Sequence, residues 1–224
     1  MNPSIEELIS RADALYNKRE DLENVRASVR LLQEAVRAGE YEALWRRGRA
    51  LFFLGQEALD KEEARTLHAR ALHICEQAAQ TNPQRVEGYF WLGVNQALLA
   101  QAENHLKALR HAASARRSLR RAVRIDAAYH GAGPLRVLAR LQHKLPRILG
   151  GGRARARANF ERAIELEPAN TVTRIYFAEF LLEMGDTNQA RLELDALLNA
   201  PPDDAWAFEQ KRDRRLARKM LGGL

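Results

Sequence analysis

A series of small residues recurs in phase along the chain and limits its possible folds more than any other feature. Each copy begins with a small residue and has a small or apolar residue seven positions later. A position where the helix is expected to stop follows five residues beyond that. The clear copies are Ala71, Ala78 and Pro83; Ala115, Ala122 and Ala127; Ala156, Ala163 and Pro168; and Ala190, Leu197 and Pro202. Because seven residues make nearly two turns of an α-helix, the small side chains of one copy share a face. Each copy therefore predicts a helix that a neighbouring helix can approach closely.

A fainter copy of the series, formed by Ser28, Ala35 and Glu40, precedes the clear ones. In every copy a larger apolar residue or a cysteine lies four positions beyond the first member. These residues are Leu32, Cys75, Leu119, Phe160 and Leu194. Residues four apart are neighbours on a helix surface, so the larger side chains lie on the same face as the small ones. A unit of this length that recurs in phase is typical of stacked helix pairs.

Helix start and stop signals surround these copies, and no stretch of alternating polarity is long enough to predict a strand. Ser4 and Glu7, for example, form the capping-box pattern at the start of the first helix. The sequence therefore predicts an all-α fold, an irregular α-solenoid in a single domain spanning 1–224. We expect about five helix pairs and a C-terminal capping helix. The expected repeats are at about 5–40, 41–83, 85–127, 132–168 and 171–202, and the capping helix is expected at 203–220.

The stretch from Tyr129 to Gly152 interrupts this pattern, because five glycines and two prolines are concentrated in it. The segment 131–134 is expected to end one helix and open the next, with Pro134 in the first helical position. Pro146 should end that helix at Leu145. The three glycines at 150–152 predict an unconstrained loop.

Composition excludes several classes of protein. The chain is 46% hydrophobic, so it can bury a core, and its one cysteine, Cys75, excludes an internal disulfide. No apolar run approaches the roughly 18 residues of a membrane span. The start of the chain shows no secretory signal pattern. We therefore expect a cytoplasmic protein from the chain as given, or a periplasmic one if a leader has been removed.

Charge is concentrated in the middle of the chain. Between Asn104 and Phe160 there are fourteen lysines and arginines and one acidic residue, Asp126. Such asymmetry favours an anionic partner or an acidic neighbouring chain, although a solvated arginine-rich face or pairing within the chain would also explain it. Nucleic-acid binding is a less favoured alternative, because lysines are few and aromatic stacking platforms are nearly absent from the region.

No constellation of catalytic residues is apparent, and we predict neither enzyme activity nor a metal or cofactor site. His68 and His73 are five residues apart, which does not align them as metal ligands on a helix. Gly131 and Gly133 do not form a nucleotide-binding fingerprint, because no strand precedes them. Free N–H groups at the start of the next helix, with Arg136 one turn on, could instead bind a carboxylate or phosphate. The alternative is that the glycines only shape the turn.

These patterns resemble the tetratricopeptide repeat, whose second helix carries the same spacing of small and large residues. The first-helix half of that repeat is matched by Leu44, Arg47, Gly48 and Leu51 and by Tyr89, Leu92 and Gly93. The resemblance implies that certain first-helix positions line a concave groove. These are Trp45, Arg49 and Phe52; Phe90 and Val94; and Arg136, Arg140 and His143. Such a groove, with one apolar wall and one basic wall, would suit an amphipathic anionic ligand or an acidic peptide with apolar anchors.

A narrower resemblance, over roughly Glu42 to Pro202, is to the T-component family of tripartite (TRAP) transporters. It is carried by residues 89–95, by residues 131–138 and by the sequence Lys144-Leu145-Pro146 with Gly150 and Gly151. It implies a non-catalytic protein working beside a periplasmic-type substrate-binding protein in solute uptake, often as a homotrimer. The alternative is a cytoplasmic adaptor for protein–protein interaction. With the groove positions, the candidate site residues include Asn95, His130, Gly131 and Gly133.

Overall fold

The computed structural model describes residues 3–147 and 150–224, and these residues form helices and connecting turns without any strand. The all-α fold class is confirmed. The helices are α1 (Ile5–Asn17), α2 (Leu22–Leu31), α3 (Gln33–Arg37), α4 (Tyr41–Glu57), α5 (Lys61–Thr81), α6 (Val86–Ala102), α7 (His105–Ile125), α8 (Tyr129–Lys144), α9 (Arg153–Leu166), α10 (Thr171–Glu183), α11 (Thr187–Leu198) and α12 (Ala207–Leu221). A short 3₁₀ turn, Asp204–Trp206, precedes α12.

The helix ends follow local sequence signals. The Ser4 side chain accepts a hydrogen bond from the N–H of Glu7, and the Glu7 carboxylate accepts one from the N–H of Ser4, so the capping box is present. Side chains of Asp60, Asn170 and Asp186 cap α5, α10 and α11 in the same position. The second half of the first expected repeat forms two helices, α2 and α3, which meet at Leu32.

The chain divides into two compact units, which are described separately. Unit 1 runs to Ile125 and contains α1–α7, whereas unit 2 begins at Asp126 and contains α8–α12. In unit 1, α4 packs on α5, α5 on α6 and α6 on α7. In unit 2, α8 packs on α9, α10 packs on α11, and α12 contacts both α10 and α11. The expectation of a single domain remains a prediction.

The core of each unit is built from the residue series found in the sequence. Its small members are buried: Ser28, Ala35, Ala71, Ala78, Ala115, Ala122, Ala156, Ala163 and Ala190. Its larger members are buried as well: Leu32, Cys75, Leu119, Phe160 and Leu194. Each larger side chain fills space left by a small residue of the preceding helix, as Leu119 does against Gly93 and Phe160 does in one cluster with Ala139. Helix pairing therefore rests on small-to-large complementarity.

The last helix, α12, closes the apolar end of unit 2. It lies in the cluster of Ile175, Ala178, Leu194 and Leu197, to which it contributes the buried Ala217. The Thr171 hydroxyl at the start of α10 also donates to the fully buried Asp213 carboxylate of α12 at 2.8 Å. This matches the expected capping helix, although its α-helical part begins at Ala207, after the 3₁₀ turn.

Candidate functional site

Trp45 and Arg49, two of the predicted groove residues, form part of a clamp between α1 and α4. The Arg49 guanidinium lies 3.9 Å from the centre of the Tyr16 ring and forms an ion pair with Asp13 at 2.8 Å. Arg46 pairs with the same carboxylate at 2.8 Å and lies 4.2 Å from the centre of the buried Trp45 ring. Arg46 also pairs with the Glu42 carboxylate, so two carboxylates balance the two arginine charges. The clamp joins the first two helix pairs.

The other predicted groove residues of unit 1 lie mostly in its interior. Phe90, Val94 and Asn95 are buried. Asn95 donates from Nδ2 to the Trp91 carbonyl at 2.8 Å, and its Oδ1 lies 3.0 Å from Nδ1 of buried His68. Phe52 is half-buried, with its ring 5.3 Å from that of Trp91. These contacts hold α4, α5 and α6 together, and the binding role of these residues stays a prediction.

In unit 2 a turn of left-handed helix begins α8. His130, Gly131 and Ala132 have φ values of 53°, 61° and 56°, and a left-handed conformation costs about 1–2 kcal/mol for each residue with a Cβ. The expected helix start near Pro134 is confirmed, because the right-handed part of α8 follows this turn. The segment does not end the preceding helix, since α7 already ends at Ile125. A Cβ on Gly131 would lie 2.3 Å from Nδ2 of Asn170, so the backbone also passes very close to the start of α10.

Arg136 holds this left-handed turn in place. Its Nη1 donates to the Gly131 carbonyl at 2.7 Å, to Thr173 Oγ1 at 3.2 Å and to Asn170 Oδ1 at 3.3 Å. The residue is only 4% exposed, and burial lowers the pKa of its guanidinium to about 10, so it remains protonated at neutral pH. The sequence placed Arg136 on a basic groove wall, whereas in the structure its donors are used to bind the backbone turn. His130 packs on Trp206 beside it, with ring centres 4.7 Å apart.

Arg140 and His143 continue the same face of α8, and both contact α10. Arg140 lies 3.7 Å from the centre of the Tyr176 ring and 3.8 Å from the Glu179 carboxylate. His143 Nε2 lies 3.2 Å from the Glu183 carboxylate, and burial lowers the pKa of the imidazole, an effect that Glu183 opposes. The three groups therefore share a face, as the spacing predicts, and Arg140 is the exposed member. Gly133, in the same helix, is buried.

The glycine segment at 150–152 is not an unconstrained loop, so that prediction was wrong. The N–H of Gly152 donates to the Gln142 carbonyl at 2.9 Å, and that of Gly151 donates to the Pro146 carbonyl at 3.1 Å. A Cβ on Gly151 would lie 1.8 Å from the Leu145 carbonyl oxygen. Glycine is needed here because the chain passes directly over the end of α8, and no side chain fits.

A cavity of about 640 Å³ in unit 1 is lined by residues of α4, α5 and α7 and of the C-terminal end of α6. Nothing in the sequence pattern predicts it. We call it the basic cavity, because three of its lining residues are Arg47, Arg65 and Arg70. Arg47 belongs to the first-helix repeat pattern in the sequence. Only the fold, however, brings it beside residues of α5 and α7, and so spacing along the chain could not identify the cavity.

The exposed side of α7 is strongly basic. Arg110, Arg117, Arg120 and Arg124 are exposed and follow one another at spacings of seven, three and four, which places them on one face. Leu106, at the start of the same face, is 74% exposed. The helix contains no acidic residue. This surface, the α7 basic face, holds four of the fourteen lysines and arginines counted between Asn104 and Phe160.

Metal-binding and membrane-spanning features are both missing from the described ranges. No group of three or more His, Cys, Asp or Glu side chains there could hold a metal ion. None of the helices in those ranges is both long and apolar enough to cross a membrane.

The comparisons with known proteins agree with the fold and identify the family. Among solved structures, a thermophilic tetratricopeptide-repeat protein of Thermus thermophilus is similar with a TM-score of 0.72 and 22% identity, covering 96% of this chain and 98% of that one. MamA is similar with a TM-score of 0.55 and 14% identity, covering 96% and 99%. These likenesses show a fold of the tetratricopeptide-repeat type. No curated protein matches the sequence significantly. Residues 9–221 match the model of the TRAP transporter T-component family, and the chain therefore belongs to that family.

Proposed function

We propose that this protein is a non-catalytic helical-repeat scaffold that works beside a TRAP-type substrate-binding protein in solute uptake. The family match over residues 9–221 supports this role, since both the T-component family and the tetratricopeptide fold are non-catalytic kinds of protein. Helical-repeat proteins bind partners through extended surfaces formed by successive helices. The partner in this proposal is therefore another protein.

The α7 basic face is the observation that carries the proposed contact. Four exposed arginines and exposed Leu106 lie on one side of a helix that has no acid to neutralise them. Cationic groups around an apolar contact are complementary to an acidic protein surface, and they speed its association at low salt. The predicted groove contributes less free charge, because Arg49, Arg140 and His143 already lie beside carboxylates of the same chain.

The test is a binding titration by biolayer interferometry between the purified protein and the TRAP-type substrate-binding protein encoded in the same genome. We expect binding that weakens as salt is raised. In a triple variant, Arg110, Arg117 and Arg120 are replaced by Glu. This variant should bind at least about tenfold more weakly, because like charges at an interface suppress association.

A matched control carries the same charge change elsewhere. Arg215→Glu, Arg218→Glu and Lys219→Glu reverse three exposed basic residues of α12. This control variant should bind like the wild type. Equal loss in both triple variants would indicate a general charge effect and would contradict a contact at α7. Failure of the wild-type protein to bind at low salt would remove the transporter role.

The second candidate function is the cytoplasmic adaptor that binds an acidic or amphipathic peptide. A peptide array probed with the protein separates the two: binding to acidic peptides without binding to the substrate-binding protein favours the adaptor. The transporter role goes with a periplasmic location and the adaptor role with a cytoplasmic one. The proposal includes a homotrimer, as the family resemblance implies, and light scattering of the purified protein measures its mass.

A further inference from the structure

Arg47, on the wall of the basic cavity, has a buried donor without a partner. Its Nε atom is buried and has no hydrogen-bond acceptor among the described residues. Burial, the largest cause, and the like charges of Arg70 and Arg37 lower the pKa of its guanidinium. Buried polar groups almost always have a partner. An arginine so placed has capacity left for an anion.

The rest of the cavity lining is also mainly cationic or apolar. Arg65 and Arg70 add two guanidinium groups, whereas Glu103 is the one carboxylate among the lining residues and already pairs with Arg65 at 3.0 Å. Apolar side chains complete the wall, among them Leu72, Ile74 and Leu99. A volume of about 640 Å³ is within the range of small-molecule sites, which combine apolar walls with a few polar groups.

We propose that the basic cavity binds a small organic anion whose carboxylate or phosphate head pairs with Arg47 and Arg70 and whose apolar body contacts Leu72, Ile74 and Leu99. The guanidinium of Arg47 supplies directional donors for such a head. The apolar side chains remove the body of the ligand from water. This site is separate from the α7 basic face, because Arg110, Arg117, Arg120 and Arg124 are not among its lining residues.

The test is calorimetric titration with three probes that share a ring system. 2-Naphthoate and 2-naphthyl phosphate carry the two candidate heads, and neutral 2-naphthol carries neither. We expect both anions to bind at least about tenfold more tightly than the neutral probe, because charge-assisted hydrogen bonds are stronger than neutral ones. The tighter of the two anions identifies the head group. Inorganic phosphate alone should bind more weakly than naphthyl phosphate, since it lacks the apolar body.

Single substitutions test whether the anions bind in the basic cavity. Arg47→Gln should weaken binding of the anions by about tenfold or more, and Arg70→Gln on the rim should weaken it less. The control Arg120→Gln removes an exposed charge outside the cavity and should leave binding unchanged. The melting temperature of Arg47→Gln should equal or exceed that of the wild type, because the buried Nε of the lost side chain makes no hydrogen bond in the wild type.

Three outcomes would overturn the proposal. These are no binding of either anion, equal binding of 2-naphthol, and undiminished anion binding by both Arg47→Gln and Arg70→Gln. None of them bears on the transporter role, which depends on the α7 basic face and is measured with a protein partner.

Discussion

Gly93 of α6 lies so close to Leu119 of α7 that a Cβ on the glycine would be 2.7 Å from the leucine Cγ. The same relationship joins Gly48 of α4 to Cys75 of α5, where the distance from such a Cβ to Sγ would be 2.2 Å. In each pair the first helix supplies a residue without a side chain and the second helix supplies the group that fills the space. The glycines are therefore required by helix packing and not by a turn.

We expect Gly93→Ala to destabilise the protein by about 1–3 kcal/mol, because an added methyl group in a filled core forces the neighbouring helix to move. The higher helix propensity of alanine opposes this loss by about 1 kcal/mol. The measurement is urea unfolding followed by circular dichroism. Gly222→Ala is the control, since its Cβ would meet ordinary contacts at 3.5 Å, and it should be neutral or stabilising. Equal stability of Gly93→Ala and the wild type would contradict the packing account.

A second prediction concerns Arg136 and the left-handed turn that it holds. Arg136→Leu removes the donor to the Gly131 carbonyl, to Asn170 and to Thr173. Asn170 Oδ1 still accepts from the N–H and the hydroxyl of Thr173, so the main loss is the donor to the Gly131 carbonyl. An unpaired buried acceptor costs about 1–3 kcal/mol, and the variant should therefore unfold at a lower temperature. Arg140→Gln should cost much less, because Arg140 is exposed and surface ion pairs contribute about 0–1 kcal/mol. If both variants had similar melting temperatures, Arg136 would not hold the turn.

The two residues show how far the sequence could predict the site. Spacing alone placed Arg136 and Arg140 on one face of a helix, and that face exists. Spacing could not show that the chain turns left-handed at His130 and Ala132, because residues with a Cβ seldom adopt that conformation. Nor could it show that Asn170 and Trp206, distant in sequence, would surround Arg136. The fold, in contrast, could be predicted. Each pair of helices is formed by residues close together in the sequence, and the pattern that pairs them recurs in phase along the chain.

A third prediction is a loss of stability in weak acid that depends on His68. Burial lowers the pKa of His68 below its ordinary value of 6.5, although the hydrogen bond with Asn95 opposes this. The unfolded chain therefore binds a proton more readily than the native one, and stability falls as pH drops through the unfolded pKa. We expect the free energy of unfolding to decrease between about pH 7 and about pH 5.

The His68→Gln variant tests the origin of this decrease. Glutamine can still donate to Asn95 Oδ1 but does not titrate, so urea unfolding of the variant should depend less on pH in this window. An unchanged slope in the variant would assign the effect to other groups. The comparison uses slopes and not absolute stabilities, because the smaller side chain also changes packing beside Phe52, whose ring centre lies 6.2 Å from that of His68.

The last prediction concerns the attachment of α12 by Thr171 and Asp213. The Asp213 carboxylate is fully buried, and burial raises its pKa, whereas Arg212 and the Thr171 hydroxyl lower it. Thr171→Val keeps the shape of the side chain but removes a donor to a buried carboxylate, which should cost about 1–3 kcal/mol. Thr187→Val, at an exposed threonine that begins α11, is the control and should cost little. Amide hydrogen exchange then locates the effect: in Thr171→Val, exchange should accelerate in α12 before it does so in α4–α6, because the lost contact joins α12 to α10. Uniform acceleration throughout the chain would mean that Thr171 supports the whole fold and not the capping helix in particular.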